Sequence, residues 1–221
     1  MRSPLANLKD ISILKTLRVN FTYLSPKDAM KLPILISRQT RLRKVKGRVI
    51  FHCPLRSGLV KFGFDTLGLV DYGRDRAVWE VDGTVEFNGA VRFGAATKLI
   101  VLGGKLMMGS HISITGLSRL LVYHSVRIGN DCLISWDVQI MDTDMHSIYN
   151  DKGERINKDR EINIGDHTWI GCKVLLLKGA NIPSDSIVAA GSIISKSLED
   201  RKSIYGGNPI CLLKSDINWE I

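Results

Sequence analysis

The chain has 221 residues, of which 44% are apolar and 24% charged, and its formal net charge is +9. This composition excludes a disordered chain and suits one substantial domain or two small ones. No apolar run approaches the roughly twenty residues of a membrane-spanning helix, and charges interrupt the N-terminal segment, so neither a transmembrane segment nor a signal peptide is expected. The four cysteines form no CxxC pair, which favours a reduced, cytoplasmic setting.

Residues 1–44 lack any repeat and are predicted to form an N-terminal extension or cap. Ser25 followed by Pro26 is typical of a helix start, and predicts a short helix to about Lys31. A basic run follows, made of Arg38, Arg41, Arg43, Lys44, Lys46 and Arg48. No nucleic-acid motif accompanies this charge, so nucleic acid is not an expected partner. We hypothesise that the run holds the protein near a membrane surface, as a peripheral contact.

From about residue 45 the chain is β-rich, and a six-residue repeat emerges. Large apolar side chains recur every six residues in 81–99 and in 122–140, with a register slip between the blocks that predicts a small insertion. The repeat is most regular at Ile164, Ile170, Leu176, Ile182, Val188 and Ile194. A period of six fits neither an amphipathic helix nor a coiled coil. It predicts short strands joined by tight turns, stacked as a parallel β-helix over 45–198.

The repeat stops after Ile140 and resumes at Ile162, which predicts a loop over 141–161 that leaves the helix. The loop is polar and charged, and long loops inside compact domains are usually functional or disordered. It contains His146, preceded by Asp142 and Asp144. Residues 199–221 are predicted to form a C-terminal tail that covers the open end of the helix.

Several segments resemble the signature of the hexapeptide-repeat acyltransferases. They are Ile164-Gly165-Asp166-His167-Thr168-Trp169-Ile170-Gly171, Leu177-Lys178-Gly179, Val188-Ala189-Ala190-Gly191-Ser192 and Gly207-Asn208-Pro209. The branch they resemble most contains the galactoside, maltose and xenobiotic acetyltransferases and the polysaccharide O-acetyltransferases. The likeness covers 105–214 well and 45–104 weakly. It implies an all-β, left-handed parallel β-helix with an N-terminal extension, one long excursion loop and a short C-terminal tail.

The resemblance also implies an activity. It implies a homotrimer that binds acetyl-CoA between subunits and moves the acetyl group to a sugar hydroxyl in cell-surface polysaccharide biosynthesis. An alcohol nucleophile needs a general base. In the family, a histidine on the long loop is that base, and the corresponding residue here is His146. Asp144 or Asp142 is the candidate to orient its imidazole, although an aspartate in this setting also caps turns. An amino sugar, serine or drug as acceptor, and a non-catalytic scaffold, stay open as alternatives.

For the donor, the resemblance implies a set of binding residues along the coils. Trp169 would wall the acyl and pantetheine channel, and Gly171 and Ala190 would let the thin arm approach the backbone. Lys196 and Lys214 would meet the phosphates and the adenine end. Trp169 has an ordinary alternative as a packing tryptophan, and each lysine has one as an exposed surface lysine.

The remaining histidines are weaker candidates for chemistry. His167 is expected at a solvated outward position, and His111, His124 and His52 lie in irregular or weakly matched coils. The γ-class carbonic anhydrases share the repeat and bind zinc through three histidines, two of them on one short segment. No two histidines of this chain are three to five residues apart, so no metal site is predicted.

Overall fold

The structure is a computed structural model that describes residues 10–64, 68, 70, 71 and 74–220. The chain coils into a left-handed parallel β-helix, as the resemblance predicts. Each regular coil contributes one short strand to each of three parallel sheets, named A, B and C in the order in which the chain enters them. Part of the predicted N-terminal extension, residues 1–9, lies outside the described residues.

The strands of each sheet are hydrogen-bonded to the coils before and after. Sheet A contains β1 (Ile34–Ile36), β4 (Val60–Phe64), β7 (Val91–Gly94), β10 (Ile112–Ile114), β13 (Leu133–Ile134), β16 (Trp169–Ile170), β19 (Ile187–Val188), β21 (Ile204–Gly206) and β22 (Cys211–Lys214). Sheet B contains β2 (Thr40–Val45), β5 (Ala77–Val81), β8 (Lys98–Val101), β11 (Arg119–Val122), β14 (Gln139–Met141), β17 (Leu175–Leu177) and β20 (Ile193–Ile194). Sheet C contains β3 (Arg48–Phe51), β6 (Thr84–Phe87), β9 (Lys105–Met108), β12 (Ser125–Ile128), β15 (Ile162–Ile164) and β18 (Asn181–Ile182).

The aliphatic repeat forms the core, which confirms its predicted inward direction. The six repeat positions are all buried: Ile164, Ile170, Leu176, Ile182, Val188 and Ile194. The small residues four positions on are also buried: Thr168, Val174, Ala180, Ser186 and Ser192. Removing one large aliphatic side chain from water is worth about 1.5–3 kcal/mol, so the stacked row is a principal source of stability.

Coil length explains the register slip between the two earlier blocks. In the late coils Trp169 pairs with Ile187, an offset of exactly three hexapeptide repeats. In the early coils Val91 pairs with Ile112, an offset longer than three repeats. The additional residues lie at the corners, so strands stay in register while the sequence period drifts. The predicted insertion is therefore spread over several coils.

The helix begins earlier than the sequence predicts, at β1 and not near residue 45. Ile34 pairs with Val60, so the first coil is longer than either of those coils before it returns to sheet A. That length hides the six-residue period, and the sequence therefore places 34–44 in the extension. The basic run consequently lies within the first coil, on β2, β3 and their connections.

Two helices cover the N-terminal end of the coils. In α2 (Pro26–Ala29) the Ser25 hydroxyl accepts a hydrogen bond from the Asp28 amide at 3.3 Å, as the predicted cap requires, although the helix ends before Lys31. The sequence does not predict the longer α1 (Ile13–Tyr23). Its polar side faces inward: Asn20 accepts from the Ile34 amide, and Thr16 from the Ile36 amide, each at 3.1 Å. These two bonds provide acceptors for backbone N–H groups of β1, which is the edge strand of sheet A.

The C-terminal tail closes part of the opposite end. β21 continues sheet A beside β19, and β22 returns antiparallel to it. Beyond β22, the amide of Ile217 donates to the carbonyl of Lys202 at 2.9 Å, which ties the tail back to the coils. Within the described ranges, no helix is long and apolar enough to cross a bilayer.

Candidate active site

The excursion loop leaves at the B–C edge, the corner between sheets B and C. The chain departs after Met141 and returns at Ile162. Asp142 is fully buried, and its two carboxylate oxygens accept hydrogen bonds from the Tyr123 and His124 amides, at 2.8 and 2.9 Å. Both oxygens are therefore used by the preceding coil. Asp142 is a structural anchor for the start of the loop.

The loop folds back on itself as a small hairpin. Tyr149 and Arg155 form an isolated antiparallel bridge, and the Ile156 amide donates to the Ile148 carbonyl at 2.9 Å. At the tip, the side-chain oxygen of Asn150 accepts from the amides of Lys152 and Glu154, each at 3.0 Å. The loop is thus held in one shape by its own hydrogen bonds.

Asp144 joins the hairpin to the coil that follows. Its carboxylate accepts from the Lys178 ammonium and, at 2.8 Å, from the Asn157 amide nitrogen. The hydrogen bond from Lys178, and secondly that from Asn157, lower the pKa of the Asp144 carboxyl below its ordinary value. Lys178 lies at the next corner of the same B–C edge and also donates to the Asn157 carbonyl at 3.0 Å. Asp144 therefore remains ionised and fixes the loop base.

His146 is positioned through its backbone. Its carbonyl accepts from the Asn157 side chain at 2.7 Å, so Asn157 connects the Asp144 carboxylate to the His146 main chain. The imidazole itself is exposed, and within the described part of the chain it has no hydrogen-bond partner. The expected carboxylate–imidazole contact is accordingly not formed in the single chain. Asp144 acts on His146 by way of Asn157.

Sequence reasoning missed Asn157 and did not assign Lys178 a role. Lys178 lies in the Leu177-Lys178-Gly179 segment that carries the resemblance, so a signal was present. Asn157 has no periodic or spacing signal, because its function depends on how the hairpin folds back to bring it against Asp144.

Beside the loop base lies an open, polar groove of about 540 Å³. Its walls come from sheet C and the returning strand of the loop, with His124, Arg160, Glu161, Asn163 and Asn181 among them. Charged, amide and imidazole groups of this kind suit a polar ligand better than an apolar one.

The predicted donor residues Trp169, Gly171 and Ala190 lie together on a different corner, the A–B edge. Trp169 points outward from sheet A, about 38% exposed, and its indole N–H donates to the Ser135 hydroxyl at 3.2 Å. Gly171 and Ala190 occupy successive coils of this edge. A Cβ on Gly171 would lie 2.6 Å from the Ala190 amide nitrogen, so glycine is required for the coils to stack.

The C-terminal tail lies against the corner between sheets C and A, next to Trp169. Trp219 stacks on the imidazole of His167, with ring centroids 4.3 Å apart and planes 6° apart, and its centroid is 6.0 Å from that of Trp169. Its indole N–H donates to the His167 carbonyl at 3.1 Å. His167 also contacts the Asp185 carboxylate at 3.2 Å. His167 is thus half-buried under the tail, where the sequence predicts a solvated residue.

The two predicted lysines lie at the C-terminal end. Lys196 is exposed beside a groove of about 210 Å³ that Tyr205 and Leu212 also line. Lys214 ends β22 and pairs with Ile204, which pairs with Ile187, which pairs with Trp169. Three rungs of about 4.8 Å therefore separate Trp169 from Lys214, roughly 14 Å along one outward row.

Comparison with known proteins agrees with this fold. A segment of 55 residues is 46% identical to the polysialic acid O-acetyltransferase of Neisseria meningitidis, over 24% of this chain and 26% of the relative. Another, of 119 residues, is 32% identical to that of Escherichia coli O1:K1 / APEC, over 53% and 38%. The crystal structure of the polySia specific acetyltransferase NeuO superposes with a TM-score of 0.55 at 24% identity, over 84% of this chain and 90% of that one. No family model matches.

The chain is therefore similar to hexapeptide-repeat acetyltransferases in segments of its sequence and in its fold. It spans well under half the length of the two curated relatives named above, so their substrates do not transfer with the likeness. The structural match, at its low identity, carries the fold alone.

The other histidines of the chain lie apart from the loop tip. His52 contacts Glu86 at 3.1 Å and His111 contacts Asp131 at 3.2 Å, both as surface pairs. Across the residues described, no three histidine, cysteine or acidic side chains are grouped as metal ligands would be.

Proposed function

We propose that the protein is an acetyl-CoA-dependent O-acetyltransferase that modifies a sugar hydroxyl in cell-surface polysaccharide biosynthesis. One observation carries the proposal: an ordered, internally hydrogen-bonded loop interrupts the repeat and presents the imidazole of His146, which has no hydrogen-bond partner among the described residues. A scaffold has no need of that excursion. The relatives' names point to a sialic acid polymer as the first acceptor to test. A cytoplasmic location stays a prediction.

In the proposed reaction the His146 imidazole removes the proton from the acceptor hydroxyl. The hydroxyl oxygen attacks the thioester carbonyl of acetyl-CoA and forms a tetrahedral intermediate. Collapse of the intermediate breaks the carbon–sulfur bond, and the imidazolium returns the proton to the departing thiolate. The protein supplies a positioned base, which is worth roughly 10²–10⁴-fold in rate. We assign the polar groove beside His124 and Arg160 to the acceptor.

Acetyl-CoA would lie along the outward row from Trp169 to Lys214. Trp169 would flank the acyl end, while Gly171 and Ala190 leave the edge free of bulky side chains. The exposed ammonium group of Lys214 would attract the phosphates. Lys196 lies on the B–C edge, where its carbonyl accepts from the Asn181 amide, and is not part of this row. Two features support this placement of acetyl-CoA: the length of the row and the positive charge at its far end.

The site would be completed by a second subunit, in the homotrimer that the resemblance implies. Within one chain His146 lies on the B–C edge and Trp169 on the A–B edge, with the whole of sheet B between them. The outward side of sheet B carries an apolar row that a lone chain leaves half-exposed, made of Ile100, Leu121, Met141, Leu175, Leu177 and Ile193. Covering that row would bring the loop of one subunit against the Trp169 edge of the next.

The test is an acetyl-transfer assay with acetyl-CoA and a panel of acceptors, including polysialic acid, neutral polysaccharides and amino sugars. We expect transfer to one acceptor hydroxyl, and a loss of about 10²–10⁴-fold in kcat in His146→Ala. His111→Ala is the matched control, because it removes another exposed histidine that lies outside the loop, and it should retain activity. Equal turnover of His146→Ala and the native chain would contradict the proposal.

A further inference from the structure

The positive charge of this protein is concentrated at one end. Residues 10–48 contain ten lysines and arginines and two aspartates, which gives +8 of the chain's net +9. This segment comprises α1, α2 and the first strands of the β-helix. The rest of the chain is close to neutral, so the molecule has an electrically polarised long axis. A surface of this kind attracts an anionic partner.

The same end exposes an apolar helix face. Ile13, Leu14, Leu17 and Phe21 project outward from α1 at helical spacing, and Met30 lies just beyond α2. Ile13 is 71% exposed and Leu14 is 80% exposed, so water reaches most of the surface of both residues. A contiguous patch of this type marks an interaction site.

Most large apolar side chains of α1 face away from the core, unlike those of usual surface helices. Its buried side is mixed, with Val19 in the core beside the polar residues. Thr16 and Asn20 are buried and bonded to the backbone of β1, and the Lys15 ammonium donates to the carbonyls of Arg38 and Thr40 at 2.7 and 2.6 Å. These bonds fix the polar side of α1 inward. The helix cannot rotate its apolar face toward the core without losing them.

Unpaired positive side chains accompany this face. Arg18 lies on α1, Lys27 on α2 and Arg41 on β2, all exposed, and none has an acidic partner among the residues described. By contrast, Arg43 pairs with Glu80 and Lys44 with Asp82. Within the 38–48 run, Arg43 and Lys44 are therefore less available to a partner than the charges beside the helices.

We propose that the outward face of α1, with Arg18, Lys27 and Arg41 beside it, docks the protein on an anionic lipid bilayer. Apolar side chains on one face of a helix, beside basic groups, fit the boundary between headgroups and acyl chains. A second copy of the chain would bring one basic surface against another, which opposes self-docking. A polyanionic glycan would satisfy the charges but leave Leu14 and Phe21 in water.

Vesicle flotation tests the proposal on the full chain. The probes are phosphatidylcholine vesicles with and without phosphatidylglycerol. We expect retention on the anionic vesicles only, weakening with salt because the basic groups are exposed. The double variant Leu14→Ser/Phe21→Ser should lower the bound fraction on the order of tenfold or more, because two inserted side chains are lost. Arg18→Gln/Arg41→Gln should give a decrease of about tenfold.

The matched control is Ile156→Ser, which removes a 61% exposed aliphatic side chain on the excursion loop and should bind as the native chain does. Thermal melting checks that each variant folds. Native protein that stays unbound to anionic vesicles overturns the proposal, as does undiminished binding of Leu14→Ser/Phe21→Ser. A lower oligomer mass in that variant, measured by light scattering, would also overturn it and assign the face to contacts between copies.

Discussion

The regular coils of 162–194 and the loop of 142–161 adjoin in the chain but are held by different forces. The coils are held by a buried aliphatic row and the ladders between strands, so each residue type is repeated and each contact has many equivalents. The loop is held by a few polar contacts centred on Asp142, Asp144 and Asn157. The difference teaches that substitutions in the coils should reduce stability, whereas substitutions in the loop should reduce activity.

The largest expected effect on stability is in the coils. Leu176→Ala removes a fully buried side chain from the stacked row and should lower the free energy of unfolding by about 2–5 kcal/mol. Activity per folded molecule should stay the same, because Leu176 faces the core. Chemical denaturation and kcat together check this. A variant with native stability but a low kcat would contradict the assignment of stability to the coils and of activity to the loop.

Asp142 tests the boundary between the two regions. Asp142→Asn turns one acceptor into a donor that faces a backbone N–H, either of Tyr123 or of His124. We expect a loss of about 1–3 kcal/mol in unfolding free energy. The kcat of the folded fraction should change little. If kcat instead fell as far as in His146→Ala, with stability retained, Asp142 would belong to the chemistry and not to the scaffold.

The inward row illustrates what a sequence reveals about this protein. Ile164 to Ile194 could be placed because every coil repeats the same burial demand at the same interval. The start of the helix could not, because the long first coil contains no such interval. The residues that anchor His146 could not be predicted either, since Asn157 meets Asp144 only after the hairpin has folded. Helix α1 was not predicted because its buried side is mostly polar.

Asp144 tests the loop itself. Asp144→Asn removes the ion pair with Lys178 and should lower kcat by about tenfold while the melting temperature hardly changes, because the pair lies at the surface. The folded pKa of this carboxyl lies below its ordinary value of 3.8. The stabilising effect is therefore present above that value and is lost as pH falls through the folded pKa. Protection factors for hydrogen exchange in 143–157, which correct for the intrinsic pH dependence of exchange, should fall on acidification in the native chain. If Asp144→Asn responded to acid as the native chain does, Asp144 would not be the group whose ionisation holds the loop.

The smallest expected effect is at the tail. Trp219→Ala should raise the KM for acetyl-CoA about fivefold, the size of a lost aromatic contact, with kcat nearly unchanged. Trp219→Phe, which keeps a ring beside His167 and Trp169, is the matched control and should recover most of the affinity. A change in kcat without a change in KM would show that the tail acts on the chemical step.

His146 and Trp169 lie on different edges of one chain, so we expect the active site to need two subunits. Mixing tests it directly. His146→Ala and Trp169→Ala subunits, each expected to be nearly inactive alone, are refolded together and assayed for acetyl transfer. Random assembly should leave about a quarter of the interfaces with both residues intact, and should restore a corresponding share of native activity. A mixture as inactive as its two parents would contradict a site shared between subunits.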